Sequence, residues 1–553
     1  MMWSTALQES AIVEQELAFV ILLSVAALVA IASRRIRLPY TVSLVIVGLV
    51  LAFFPRPVQL EISSDLIVAI LVPPLIFEGA LAISWDNLRR NLLPILLLAV
   101  VGVLAGSAIV GGILIGTLRI PLFAALAFGA LISATDPVAV IAFFRRLGVS
   151  RRLNVLVEGE SLFNDGVAIV VFGLAVGAAG AAVAGTANSL TVGGAVAEFL
   201  IVSLGGLGVG FVLGYIVSEI VLKGIDDHLV ETATTVAVAF GAYVVAERLG
   251  VSGILAVVAA GLIVGNIGLQ NTSPTTKLTL SNFWEFLAFM ANSLVFLIIG
   301  IQIRIPELVT DAWAIVIAVV AVLLARLLIV YSLTWLHGVI EPRRRIPMPY
   351  RHVMFWGGLR GAISLALALS LTAATFGEGN VLLLQHMTFG VVLFTLIVQG
   401  TTIEPLIRKL GIGDYPAQRT EQQARQARVY AVRAARRELD RLRSDGMLSQ
   451  PVWKAMAQAY DDEIEGRRSS LREHLDAFPE LELEMVLRAR ADLLRAERTA
   501  IADAMRRGLI SEQVARDLVR EVDHRVAALE RIQLGGAEQS SVWGGDGPHR
   551  TEG

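Results

Sequence analysis

The sequence predicts an all-α polytopic membrane protein with about thirteen transmembrane helices in inverted repeats, two of them discontinuous, and a helical cytoplasmic tail. Three observations carry that expectation. The 553-residue chain is 55% hydrophobic with a mean hydropathy of +0.69, more than a soluble domain needs for its core. Its charge is uneven: 46 Asp, Glu, Lys and Arg are spread over residues 1–410, and 48 are packed into the remaining 143. Apolar stretches near the ~20 residues that a spanning helix needs recur thirteen times.

Those stretches lie near 15–33, 38–54, 63–83, 92–117, 121–146, 153–180, 192–222, 229–248, 251–268, 280–302, 311–336, 350–374 and 380–407. The first is preceded by acids and no base, unlike a cleaved leader, so it reads as retained. One set of connections carries fifteen Lys and Arg, among them Arg34, Arg35, Arg89, Arg90, Arg145, Arg146, Arg151 and Arg152. The alternate set carries four: Arg56, Arg119, Arg248 and Arg304. The bias places the N-terminus outside and, with an odd number of spans, the tail in the cytoplasm of a multi-pass cell-membrane protein.

Two spans are interrupted by their own residues. In the fifth, Ile132-Ser133-Ala134-Thr135-Asp136-Pro137, the proline removes a backbone donor and crowds the preceding turn. In the twelfth, Trp356-Gly357-Gly358-Leu359-Arg360-Gly361, three glycines surround an arginine. Broken spans at matching places in two halves mark an inverted-repeat carrier with its site near the midplane.

The sixth span opens Val157-Glu158-Gly159-Glu160-Ser161-Leu162-Phe163-Asn164-Asp165-Gly166. An ionised Asp within a bilayer costs at least ~2.5 kcal/mol, so Asp165 calls for a function. Ser161, Asn164 and Asp165 are spaced to share a helical face. With Asp136 and the freed carbonyl of Thr135 they offer hard oxygen ligands that suit an alkali cation or a proton. Asp136 reads alternatively as the cap of a new half-helix opened by Pro137. Glu160 and Arg360 are opposite charges in one apolar region and should meet, as a structural ion pair or at the ion itself. Glu78, after Pro73 and Pro74, reads either as a functional carboxylate on a distorted helix or as a side chain reaching water. Glu247 and Arg326 read as polar packing or snorkelling side chains.

The tail has Arg/Glu/Ala/Leu helical composition. Gly446-Met447-Leu448-Ser449 matches Gly508-Leu509-Ile510-Ser511 at an offset of 62, which suggests two duplicated hairpins near 418–475 and 480–532. The end, 536–553, reads as disordered. Near-zero net charge argues against a nucleic-acid partner, and the absence of cysteine excludes disulfides and iron–sulfur ligation. No nucleophile–base pair or phosphate loop suggests an enzyme.

Leu71–Glu78, Ser133–Val140, Glu158–Asp165, Ala246-Glu247 with Ser252–Ala256, and Gly357–Ala362 together resemble the monovalent cation/proton antiporter family. The resemblance is to the branch of electroneutral bacterial antiporters and animal sodium/proton exchangers, and it covers roughly 15–407. The shift in charge density bounds a membrane domain over 1–410, which the resemblance makes an antiporter domain, and a tail over 411–535. The resemblance implies a homodimer with a dimerisation domain and a six-helix ion-carrying core. It implies no cofactor: the cargo is Na+, or Li+ or K+, and H+. It makes Asp165 the main carrier and Asp136 its partner. Ser161, Glu78 and the Thr135 carbonyl complete the cation shell, Asn164 supports the site, and Glu160 pairs with Arg360. A potassium/proton antiporter of the same family, a cation channel and a tail-signalling ion sensor are the alternatives.

Overall fold

The computed structural model describes residues 17, 20–33, 35, 40–52, 67–185, 191–224, 227–272, 274–303, 305–412, 417–477, 479–522 and 525. The expected disordered segment 536–553 lies outside the described residues, as do parts of the first, second and third expected spans and of the second expected tail hairpin. The chain divides into two compact units, Met1–Asp414 and Tyr415–Gly553.

Each of the thirteen expected stretches coincides with helix in the first unit. In chain order these are α1 Val20–Ser33, α2 Tyr40–Leu51, α3 Ala69–Ala82, α4 Leu92–Leu118, α5a Leu122–Leu131 with α5b Val138–Leu147, α6 Arg151–Val183 and α7 Val192–Val221. There follow α8 His228–Arg248, α9 Gly253–Asn266, α10 Pro274–Gln302, α11 Ala312–Ile340, α12a Met348–Trp356 with α12b Ala362–Leu369, and α13 Glu378–Lys409. Among the described residues seven helices are long and apolar enough to cross a membrane: α4, α6, α7, α8, α10, α11 and α13. The others are shorter or broken. One of them, α9, is buried along most of its length, so its neighbours rather than lipid set its limits.

Both interruptions stand where proline and glycine chemistry puts them. The fifth helix stops at Leu131 and resumes at Val138. The twelfth stops at Trp356 and resumes at Ala362. α6, in contrast, runs unbroken for 33 residues, about 50 Å at 1.5 Å per residue. Ser150 caps it, accepting from the Leu153 N–H. Its small residues admit neighbours closely: a Cβ on Gly159 would meet Ile95 of α4, and one on Gly166 would meet Leu255 of α9.

α2 and α10 cross through glycine on both sides. A Cβ on Gly48 would lie 2.8 Å from Gly300 Cα, and one on Gly300 equally close to Gly48 Cα. Without a hydrophobic force between helices in lipid, such backbone approach is a main source of association. Tyr40 of α2 ties the same pair polarly, its hydroxyl 2.7 Å from Ser293 Oγ of α10.

In the second unit, helices α14 Ala417–Ser444 and α15 Gln450–Ala477 form a hairpin, and α16 Pro479–Arg506 is followed by helix over 512–522. Both turns use the same device. Gly446 has φ +74° and Gly508 φ +71°, in the left-handed region. Met447 N–H donates to the Leu442 carbonyl and Leu509 N–H to the Ala504 carbonyl, each at 2.9 Å. Trp453 Nε1 of α15 donates to Asp440 of α14 at 3.0 Å. Arg436 also bonds Asp440, and the two donors hold that carboxyl below its ordinary range.

Candidate functional site

The two interruptions meet. Asp136 N–H donates to the Leu359 carbonyl at 2.8 Å, so the extended link of the fifth helix runs against that of the twelfth. Breaking a helix inside hydrocarbon frees carbonyls and amides that no water reaches, at several kcal/mol each if left bare. Here they are taken one by one. Arg360 Nη1 donates to the Ser133 carbonyl at 2.9 Å and to the Ala134 carbonyl at 3.3 Å. Ser364 Oγ donates to the Ala134 carbonyl at 3.4 Å, and Ser161 Oγ donates to the Thr135 carbonyl. Asp136 Oδ1 accepts from Val138 N–H at 3.0 Å, the first amide of α5b. The capping alternative for Asp136 therefore describes one of its contacts.

α6 passes beside this crossing and braces it. Asn164 Nδ2 donates to Thr135 Oγ1 at 2.7 Å, and Thr135 N–H points back at Asn164 Oδ1 at 3.5 Å. The unwound threonine is thus held by hydroxyl, amide and carbonyl together.

A cavity of about 520 Å³ opens on the crossing. Asp165, Asp136, Ser161, Thr135 and Glu78 all line it. Its opposite wall comes from Tyr40 of α2 and from Glu285, Phe289 and Asn292 of α10. Asp165 and Ser161 are buried, at 8% and 3% exposure, although they border the opening. Among the described residues no three of His, Cys, Asp and Glu converge closely enough to hold one metal ion. Asp136, Asp165 and Glu78 therefore share the cavity without closing into one three-carboxylate cluster. What the walls present is a set of oxygens: carboxylates, a hydroxyl and a carbonyl with a lone pair left over.

Two expected placements change. Asn164 lines not this cavity but a small cleft behind the crossing, with Glu160, Arg326 and Arg360. Its side chain is occupied with Thr135. The expected Glu160–Arg360 pair is also corrected. Glu160 takes both terminal nitrogens of Arg326, Nη1 on Oε1 and Nη2 on Oε2 at 3.2 Å. The same Nη2 donates to the Met354 carbonyl at 2.9 Å, near the end of α12a. The reason is local. Arg360 is placed against the carbonyls of Ser133 and Ala134, which the break in the fifth helix frees, and it spends its Nη1 on them. Arg326, on the unbroken α11, meets a single free carbonyl, that of Met354, and Glu160 takes its remaining charge. Arg326 was visible as a charge inside an apolar span, but which of two arginines Glu160 would meet was not. Glu247, left open by the sequence, accepts from Gly253 N–H at 3.1 Å and so supports the start of α9.

The arrangement can bind a small cation through oxygens, or a proton on a carboxylate, in an enclosed space beside two broken helices. Known proteins bear on which. A family model described as "Sodium/hydrogen exchanger, transmembrane" matches residues 20–409. The chain is 38% identical over 523 residues to the Na(+)/H(+) antiporter ApNhaP of Aphanothece halophytica, covering 94% of this chain and 98% of that one. It is 35% identical over 515 residues to the Na(+)/H(+) antiporter NhaG of Bacillus atrophaeus, covering 90% and 95%. In fold it is similar to the sodium proton antiporter MjNhaP1 from Methanocaldococcus jannaschii, with TM-score 0.59, 21% identity, and coverage of 72% of this chain and 99% of that one.

Proposed function

We propose a transport cycle from one premise: the chain belongs to the sodium/hydrogen exchanger family. In this cycle the protein exchanges a monovalent cation, sodium, for a proton, with Asp165 and Asp136 as the shared binding point. The relatives that match over nearly their whole length are sodium/proton antiporters by name, which supports sodium as the cation.

The observation that carries the mechanism is that Asp165 and Asp136 line one cavity at the crossing of the broken helices. A carboxylate there takes either a proton or a cation. Bare, it carries a charge that is costly to move across hydrocarbon. Once neutralised by either partner, it can change sides. Ser161 and the Thr135 carbonyl complete the shell through lone pairs their mutual hydrogen bond leaves free, and Glu78 adds a third carboxylate nearby. Asn164, committed to Thr135, carries no proton, which supports a one-for-one, electroneutral count.

All thirteen helical segments are taken as spans, in a homodimer, with the arginine-rich loops and the tail in the cytoplasm. Arg145, which this orientation puts on the cytoplasmic side, lines the cavity, and that supports an inward-facing state. Access alternates when the crossing and α6 move against the wall built by α2, α3 and α10.

The test uses purified protein in sealed liposomes with a pH-sensitive dye inside. An imposed sodium gradient drives proton movement with the unmodified protein, and Asp165→Asn abolishes it while the protein still elutes as a folded species. Sodium-driven proton movement that survives Asp165→Asn sinks the assignment. The same assay with lithium and potassium names the cation.

A further inference from the structure

Glu158 is the acid of the Glu158–Asp165 stretch that neither the crossing nor the Arg326 pair uses. Asn154, Glu158, Ser161 and Asp165 follow one another along α6 at spacings of four, three and four, which places them in one stripe on one helical face. Glu158 and Asp165 are separated by about 10.5 Å of helix rise. Glu158, Ser161 and Asp165 all line the cavity, so the stripe leads along its wall from the start of α6 toward the crossing. Asn154 stands one turn earlier on the same stripe.

A counter-charge faces this stripe. Arg145, in the last turn of α5b, lines the same cavity. Its neighbour Arg146 is paired with Glu404 at 3.7 Å, whereas Arg145 closes no ion pair among the described residues. Glu78 and Glu158 line that cavity with it. A guanidinium that lines one cavity with two carboxylates, and closes an ion pair with neither among the described residues, is a resident counter-charge to both.

We propose that Glu158 is a staging site where an incoming cation is held before it reaches Asp165 and Asp136, and that Arg145 is the tethered charge competing with that cation. This rests on reading the cavity as the transport path. An entering sodium ion must displace the Arg145 charge from the carboxylates near the mouth. The balance of Glu158 and Arg145 therefore sets how much cation half-saturates the carrier, without touching the step in which the loaded site changes sides. Both groups act on arrival; neither needs to travel with the ion.

The experiment is sodium-dependent proton exchange by the full chain in liposomes, read as KM and Vmax separately. Glu158→Gln raises the KM for sodium roughly threefold to tenfold, the range of a partly desolvated charge contact, with Vmax unchanged. Glu158→Asp recovers most of that loss. Arg145→Gln lowers the KM, and Arg145→Lys leaves it near that of the unmodified protein. The deciding measurement is the pair: in a Glu158→Gln background, Arg145→Gln shifts KM much less than it does alone. The same fold-shift in both backgrounds, or a Vmax that falls at constant KM, overturns the proposal. Arg145 is exposed, so its variants report even if Glu158→Gln assembles poorly. Failure of the antiport reading is distinct, because there the unmodified protein shows no sodium-driven proton movement at all.

Discussion

Arg360 Nη1 donates to the main-chain carbonyl of Ser133 at 2.9 Å, joining two helices at the point where both are broken. The contact explains why a positive charge is tolerated deep in an apolar unit. Pro137 has no N–H, so the turn that would have bonded the Ser133 carbonyl cannot close. That carbonyl and its neighbour lie just past the negative end of α5a, and the guanidinium meets both with one nitrogen. Arg360→Ala leaves the Ser133 carbonyl and part of the Ala134 carbonyl bare, at about 1–3 kcal/mol each. The expected outcome is a clear drop in thermal unfolding temperature in detergent, only partly recovered by Arg360→Lys, whose shorter side chain and compact ammonium do not reproduce the reach of Nη1. An Arg360→Ala protein as stable as the original would remove the bracing role.

A second arginine closes the other half. Arg326 holds both oxygens of Glu160 and the Met354 carbonyl, with its side chain 11% and that of Glu160 2% exposed. Removing one member of a buried pair strands the other, typically at about 3–5 kcal/mol, whereas replacing both costs far less. Arg326→Met and Glu160→Gln should each destabilise strongly, and the double variant should be more stable than either single one. Unfolding temperatures of the three, measured side by side, check this. A double variant that simply adds the two losses would mean the residues act independently.

How far the residues alone disclosed this site depends on the range of the physics. The breaks at Ile132–Pro137 and Gly357–Gly361 were legible because proline and glycine act on their own turn. Asp165, Ser161 and Thr135 were legible because polar groups in an apolar helix have few reasons to be there. The partner of Glu160 was not, since the choice between Arg326 and Arg360 depends on which of them packs beside the freed carbonyls of Ser133 and Ala134, a contact between distant helices. Asn164 was grouped with the cavity by helical spacing, but one hydrogen bond to Thr135 directs it behind the crossing. The wall of Tyr40, Glu285 and Asn292 was invisible, because nothing in the sequence tells which faces of α2 and α10 turn toward the crossing until the two helices are seen to meet at Gly48 and Gly300.

Gly361 provides a test of how tightly the carboxylate is positioned. Its φ is −135°, which any residue can adopt, so the need for glycine is steric. A Cβ there would stand 2.5 Å from Asp136 Oδ2 and would overlap the rest of that side chain. Gly361→Ala must push Asp136 aside or part the two links, at about 1–3 kcal/mol for overpacking. The expected result is a protein that still purifies as a folded species but exchanges sodium for protons at least about tenfold more slowly, as misplaced reacting groups do. Unimpaired exchange by Gly361→Ala would show that the Asp136 position in this structure does not matter to transport.

The tail offers a prediction about duplication that does not depend on transport. At Gly446 and Gly508 the same two hydrogen bonds close the preceding helix: the glycine N–H to the carbonyl three residues back, and the next N–H to the carbonyl five back. Both glycines need positive φ, where a Cβ costs about 1–2 kcal/mol. If the two turns are copies of one device, Gly446→Ala and Gly508→Ala should carry the same penalty, and asparagine, which tolerates this conformation, a smaller one at both. Hydrogen–deuterium exchange on the full-length protein reads this directly, as faster exchange of the Met447 amide in one variant and of the Leu509 amide in the other, by similar factors. Ser511 adds a cap through its hydroxyl to Val514 N–H at 3.4 Å. The second turn should therefore lose further protection on Ser511→Ala. Unequal glycine penalties would mean that the two turns match in sequence and geometry but not in energy.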